Sequence, residues 1–185
     1  VFGIFVFSLA LNLIPFMGPS NLVIAGMMGV LFPTTDALYI ALGVALGSAV
    51  AKTAHYYAVY WIRGRLPAEK RLQLDRFRNW FGRWGAVALF AAAVTPIPDE
   101  PVVIPMGLMK YSPKKFFLIF FTGKMIIAFC GAYAGQYLSS VLYAFFDSWV
   151  VITLAAIFTI VVTVVMLKFD LDEIFRRLKL FRWSS

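Results

Sequence analysis

Charge, cysteine and histidine are scarce in this chain of 185 residues. Only 14% of positions are Asp, Glu, Lys or Arg, and there is one cysteine and one histidine. Soluble domains carry about 25% charged and 45–50% apolar residues. Here 62% of residues are hydrophobic and 17% aromatic, with a mean hydropathy of +0.83. A single domain of this length cannot bury that much apolar surface. A disordered chain, a disulfide scaffold and a soluble nucleic-acid module are excluded or made improbable, and a polytopic membrane protein remains. The lone Cys130 allows no intrachain disulfide and is expected to pack as a small apolar side chain. No Walker loop, dinucleotide glycine pattern, Ser/His/Asp set or metal-spaced histidines occur. The chain therefore reads as a non-enzyme without cofactor or metal. Residues 1–14 are apolar but lack a basic start, so they do not read as a signal peptide.

What is present is a series of apolar stretches. A helix needs about 20 apolar residues to cross a hydrocarbon core of ~30 Å. Segments 37–62, 116–138 and 149–167 meet this and are expected to cross. Segments 1–33 and 85–109 are broken, at Ile14-Pro15-Phe16-Met17-Gly18-Pro19-Ser20-Asn21 and at Thr95-Pro96-Ile97-Pro98-Asp99-Glu100-Pro101. Each break leaves arms that span roughly 14–20 Å of helix, enough to reach the bilayer midplane only. Prolines stop a helix from continuing, and non-helical backbone at that depth needs protein or a wet cavity around it. Both segments are read as re-entrant hairpins with tips at Pro15, Pro19, Ser20 and Asn21 and at Pro96, Pro98 and Pro101. Kinked full crossings are the alternative.

Basic residues decide between them. Residues 1–51 and 125–167 contain no Lys or Arg, whereas 63–83, 110–115 and 168–182 are rich in both. Placing the three basic regions in the cytoplasm satisfies the positive-inside rule with hairpins, and fails if 85–109 crosses. The expected organisation is a single all-α transmembrane domain over 1–185. It comprises hairpin 1 (1–33), a crossing (37–62), a cytoplasmic amphipathic loop (63–84), hairpin 2 (85–109), crossings at 116–138 and 149–167, and a basic tail (168–185). The loop interleaves Phe77, Trp80, Phe81 and Trp84 with arginines, a pattern for anionic lipid rather than nucleic acid in this setting.

Pro15 to Gly26 and Pro96 to Gly107 are both eleven apart, and Pro33 to Gly43 and Pro113 to Gly123 both ten. With one crossing between the hairpins, this reads as an inverted repeat, the arrangement that sets a substrate site at the midplane. Ionisable residues at that depth face a cavity or a partner. Lys52, His55, Asp99, Glu100 and Lys124 are the candidates. Two cations and two anions at similar depth suggest mutual pairing. Asp99 followed by Glu100-Pro101 also reads as a helix start with a capping carboxylate, and Ser20 as the matching cap. His55 lies one turn from Lys52 and reads as a packed residue or a proton carrier. Half-helix N-termini favour an anion such as phosphate, Lys52 and Lys124 add charge, and protonation of Asp99 or Glu100 would relieve the competition.

The motifs from Pro15 to Gly26, Gly43-Val44-Ala45-Leu46-Gly47, Tyr56 to Arg65, Phe81-Gly82-Arg83-Trp84-Gly85 and Thr95 to Lys124 resemble the DedA/VTT (SNARE-associated Golgi protein) superfamily, over about residues 12–140. The resemblance implies two opposed re-entrant hairpins and lipid movement, either recycling of polyprenyl-phosphate carriers or phospholipid scrambling. Many members carry an acid where this chain has Asn21, and arginines where it has Ala93 and Asp99, which marks a divergent branch. The leading expectation is a transporter or scramblase for an anionic phospholipid or polyprenyl phosphate, with protons as a coupling partner, in a prokaryotic plasma membrane. A homo-oligomer is compatible with it. A proton-coupled exporter of small solutes and a structural membrane protein stand as alternatives.

Overall fold

The computed structural model describes residues 1–14, 19–81, 84–158, 160, 161, 164 and 165, with only the backbone described at 77 and 79–81. Among these residues every regular element is a helix. They are α1 (Phe2–Leu13), α2 (Asn21–Leu31), α3 (Ala37–Ile62), α4 (Ala68–Phe81), α5 (Gly85–Val94), α6 (Glu100–Leu108), α7 (Pro113–Phe145) and α8 (Ser148–Phe158), with a 3₁₀ turn at Arg63–Arg65.

The long helices begin where local chemistry allows. Asp36 caps α3, its carboxylate accepting from Leu38 N–H at 2.8 Å, and Pro113 opens α7 where a missing N–H costs nothing. Helix α3 starts and ends at the expected positions. Helix α7 runs to Phe145, past the expected end at 138, because nothing between Leu138 and Phe145 breaks a helix and Phe146 is the first extended residue. Both are long and apolar enough to cross a membrane. The expected third crossing is described as the helix Ser148–Phe158. Most of that segment's remainder after Phe158, like the basic tail, lies outside the described residues.

Both proline-rich segments interrupt helices. Helix α1 ends at Leu13 and α2 starts at Asn21, while α5 ends at Val94 and α6 starts at Glu100. Pro15 lies outside the described residues. The four arms are 12, 11, 10 and 9 residues long, none able to span a bilayer.

The arms pack crosswise. Helices α1 and α5 lie on the long helix that comes after each in sequence, α3 and α7 respectively, whereas α2 lies mainly on α7 and α6 on α3. Glycines permit each close approach. Gly43 faces Val1 and Ile4 of α1, and Gly123 faces Phe90 and Ala93 of α5. Gly135 meets the backbone of Gly26, and Gly107 that of Tyr56. Two apolar clusters result. One gathers Ile4, Ile24, Met28, Ile40 and Val44 with Ala128 and Ala132, and the other gathers Tyr56, Leu89, Val103, Met106, Phe116 and Phe120.

Outside this core, Leu38, Val50, Leu118, Ile126, Phe129 and Tyr133 are exposed, the surface of a protein solvated by hydrocarbon. Cys130 is also exposed. That corrects the expectation that it packs inside: the inward face of α7 here is Ile127, Ala128 and Gly131, and Cys130 lies off it.

Candidate functional site

Along α7, Lys124 falls between Phe120 of one cluster and Ala128 of the other, and along α3 Ser48 falls between Val44 and Ala49. A polar layer thus separates two apolar ones. In it the break between α5 and α6 delivers two adjacent carboxylates to two different helices. Lys52 of α3 donates to Glu100. Lys124 of α7 lies 2.9 Å from Oδ1 and 2.8 Å from Oδ2 of Asp99. All four residues are only 3–6% exposed, and the Lys124 ammonium also sits 5.2 Å from the Phe120 ring centre. Adjacent residues at a helix start diverge, so α6 is clamped between α3 and α7. The pairing expected from depth is present.

Asp99 is not a capping carboxylate. It occupies the position before α6, but its side chain makes no cap bond. The ammonium of Lys124 takes the carboxylate because pairing a buried charge outweighs a cap worth about 1 kcal/mol. Ser20 does cap, its Oγ accepting from Leu22 N–H at 3.3 Å.

At the other break the polar groups are neutral. Ser8 Oγ donates to the Val44 carbonyl at 2.8 Å, Asn12 Nδ2 to the Ser8 carbonyl at 2.9 Å, and Ser48 Oγ to Asn12 Oδ1 at 3.3 Å. His55 Nε2 donates to the Leu13 carbonyl at 2.8 Å, which satisfies the end of α1. The ring of His55 therefore joins break one rather than the ion pairs. With Nε2 protonated, Nδ1 is left as a buried acceptor without a partner among the described residues, and Asn21 Nδ2 is likewise buried and without a partner among them.

Ser8, Asn12 and Ser48 carry no signal in the sequence. A serine or asparagine inside an apolar run forms no motif, although Asn12 comes one turn after Ser8, and Lys52 one turn after Ser48. Arg63 is likewise hidden, since it reads only as a topology charge. It is 6% exposed and donates to the Leu108 carbonyl at 2.9 Å and to Asp75 at 2.7 Å, tying α3, α6 and α4 together. The interfacial reading of Phe77, Trp80 and Phe81 falls on side chains outside those described. Among the described residues no cluster of His, Cys, Asp and Glu is fit to hold a metal ion.

No curated protein and no solved structure matches the chain. A family model does match, described as the VTT domain, over residues 14–137. That span holds both breaks, α3, most of α7 and all four partners of the ion pairs. The chain belongs to the VTT domain family of membrane proteins.

Proposed function

We propose that this protein moves an anionic lipid headgroup, of a phospholipid or a polyprenyl phosphate, across the bilayer through the polar layer. The hairpins are re-entrant, the two halves form an inverted repeat, and the basic loops face the cytoplasm of a prokaryotic cell. The observation that carries this is the pair of buried ion pairs joining one hairpin tip to both long helices. The crossed packing at equivalent glycines supports the repeat, and the absence of Lys and Arg from 1–51 and 125–167 supports the orientation.

Two ammonium groups and two carboxylates sum to zero charge. An incoming phosphate takes the place of a carboxylate on Lys52 or Lys124, keeping charge-assisted hydrogen bonds on the ammonium. The displaced carboxylate cannot stay ionised and unpaired at that depth. It takes up a proton, so one proton enters per negative charge carried and the layer stays neutral. Such a site is a transporter's rather than an enzyme's: no bond in the substrate breaks.

The test uses the full chain in proteoliposomes containing fluorescent phosphatidylglycerol, with outer-leaflet fluorescence removed by a membrane-impermeant reductant. Wild-type protein is expected to flip the lipid. Lys52→Met with Glu100→Gln removes both charges of one pair without orphaning either. A loss of about tenfold or more is expected, the loss of one charged hydrogen bond, and likewise for Lys124→Met with Asp99→Asn. Glu100→Gln alone is expected to flatten the pH dependence. Full flip in both double variants sinks the headgroup site. Proton-linked solute flux without flip would make the protein an exporter, and neither activity would leave a structural role.

A further inference from the structure

The packing partners of the helices sort the molecule into two bundles. Helices α1 and α6 lie on α3, and α2 and α5 lie on α7. Close backbone approach falls inside each bundle. A Cβ on Gly47 of α3 would lie 2.6 Å from the Phe5 carbonyl oxygen of α1, and Gly107 of α6 faces Tyr56 of α3. In the other bundle Gly29 of α2 meets the Ala132 carbonyl of α7, and Gly123 of α7 faces Ala93 of α5. Interfaces packed this closely do not deform by degrees.

Hydrogen bonds follow the same division. Ser8 bonds the Val44 carbonyl, His55 the Leu13 carbonyl, Lys52 Glu100 and Arg63 the Leu108 carbonyl, all within the α3 bundle. Tyr56 donates to the Tyr111 carbonyl in the turn that ends α6, where Tyr111 N–H bonds back to Met106. Gln136 of α7 donates to the Thr35 carbonyl, in the turn that ends α2. The long helices meet across the seam through apolar side chains, with Tyr56 stacked on Phe116 at 4.8 Å. Apolar contact is non-directional, so it survives a shift that would break a hydrogen bond.

Lys124 does otherwise. Asp99 belongs to the α3 bundle by its backbone: its carbonyl accepts from Val102 and Val103 N–H at 3.0 Å, in the first turn of α6. Its carboxylate is bound by Lys124 of α7. The two ion pairs therefore differ. Lys52 and Glu100 hold α6 on α3 inside one bundle, whereas Lys124 and Asp99 tie one bundle to the other.

We propose that Lys124–Asp99 is a latch between two rigid bundles, opened when an anionic lipid headgroup takes the place of Asp99 on Lys124. The bundles then rock against each other along α3 and α7. This rests on the lipid reading above and gives the two pairs different work: a headgroup on Lys52 leaves the bundles joined, and one on Lys124 frees them. Rocking about a midplane site opens it to each side in turn.

The experiment uses the full chain with Cys130→Ser, carrying pairs of spin labels on cysteines at exposed positions. Trp61→Cys with Leu118→Cys, and Tyr39→Cys with Tyr137→Cys, span the seam near its two ends. Val6→Cys with Trp61→Cys, and Val87→Cys with Tyr133→Cys, each lie within one bundle. In phosphatidylglycerol vesicles both seam pairs are expected to gain a second distance, displaced by about 5 Å, that is absent in phosphatidylcholine. The pairs within a bundle are expected to stay unchanged. Inorganic phosphate in phosphatidylcholine vesicles is expected not to reproduce the shift. Lys124→Met with Asp99→Asn should produce it in phosphatidylcholine, and Lys52→Met with Glu100→Gln should not.

A bridge then reads the motion in transport. Tyr57 and Leu118 share a shallow groove between α3 and α7, and Val87 and Leu118 one between α5 and α7. A bis-maleimide joining Tyr57→Cys to Leu118→Cys is expected to cut flip about tenfold or more, and one joining Val87→Cys to Leu118→Cys to leave it intact. A monofunctional maleimide on each variant shows that modification alone is harmless. Equal shifts within and across bundles, no shift in the latch variant, the same shift on removing Lys52 and Glu100, or opening by inorganic phosphate overturns the proposal. Seam shifts without lipid flip leave the latch and remove the transport reading. Undiminished flip with the seam bridged does the reverse.

Discussion

The two helix breaks solve the same problem with different chemistry. Each leaves helix ends deep among apolar side chains, where unpaired N–H and C=O groups are costly. At the first, the described partners are serine, asparagine and histidine side chains: Ser20 caps α2, His55 takes the Leu13 carbonyl, and Ser8, Asn12 and Ser48 bond among themselves and to backbone. At the second, four ionised residues meet in two pairs. Neutral groups satisfy a break at about 1 kcal/mol per bond and without desolvating charge. Buried ion pairs bring desolvation penalties of several kcal/mol per ion and often stabilise no more than apolar residues of the same volume. At the first break the partners of the described helix ends are all neutral. The charges at the second answer to something else, and binding a charged headgroup is the reading that gives them a purpose.

The largest effect that would break this contrast is on stability. Lys124→Ala orphans Asp99 and is expected to cost about 3–5 kcal/mol, read as a lowered Tm in detergent. Lys124→Met with Asp99→Asn is expected to recover most of it while lipid flip stays lost. If the double variant is as unstable as the single one, the pair is a structural requirement and the two breaks differ only in style.

Equivalent glycines test the packing half of the comparison. A Cβ on Gly107 would lie 2.8 Å from the Tyr56 carbonyl oxygen, a backbone atom that cannot step aside. On Gly26, eleven residues after Pro15 as Gly107 is after Pro96, the nearest atom would be 3.5 Å away, ordinary contact. Gly107→Ala is therefore expected to cost about 1–3 kcal/mol, and Gly26→Ala less than about 0.5 kcal/mol. Thermal melts of the two variants side by side decide it; equal costs would mean the hairpins are seated equally tightly. On the other side of the α2–α7 contact, Gly135→Ala would drive a Cβ into the Gly26 carbonyl and should be the worse of that pair.

Within the neutral network, Asn12→Ala removes the acceptor of Ser48 and the donor to the Ser8 carbonyl. A loss of about 1–2 kcal/mol is expected, two modest hydrogen bonds. A double-mutant cycle with Ser48→Ala isolates the shared bond. A cost approaching that of Lys124→Ala would erase the difference between neutral and charged breaks.

The breaks, the arms and α3 are legible in the sequence because proline, capping residues and hydrophobic length act locally. Lys52, Lys124, Asp99 and Glu100 are legible because charge in an apolar run is conspicuous and its depth comes from helical rise. Which lysine meets which carboxylate is not, since it depends on α6 crossing to α3 while α5 stays on α7. The Ser8–Asn12–Ser48 network is invisible for a similar reason: its members lie on two helices, and each alone is an ordinary small polar residue. Asp99 reads as a cap because its sequence neighbours favour capping, whereas its actual partner is 25 residues away. The apolar cavity between α2, α7 and α8 needs three helices in register, which no single segment encodes.

The smallest effect concerns a pair at the end of α3, whose carboxylate is on α4 beyond the two long apolar helices, and it sets the scale for the buried ones. Asp75 is half-exposed and accepts from Arg63 at 2.7 Å. The hydrogen bond from the Arg63 guanidinium, aided by its charge, holds the Asp75 carboxyl below its usual 3.8. A depressed folded-state pKa means that the ionised form is favoured by folding. Its contribution is complete above about pH 5, falls as the pH drops below the unfolded value, and is gone below the folded one. Wild-type protein is expected to melt slightly above Asp75→Asn at neutral pH, with the gap closing under acid and shrinking in high salt, since solvent screens an exposed pair. A gap that persists unchanged to the acid limit would show that Asp75 acts by shape rather than charge. Arg63 itself, almost fully buried and also bonded to the Leu108 carbonyl, would then hold α4 without an ion pair. Among the described residues, the ion pairs of consequence to this fold would then be those at the second break.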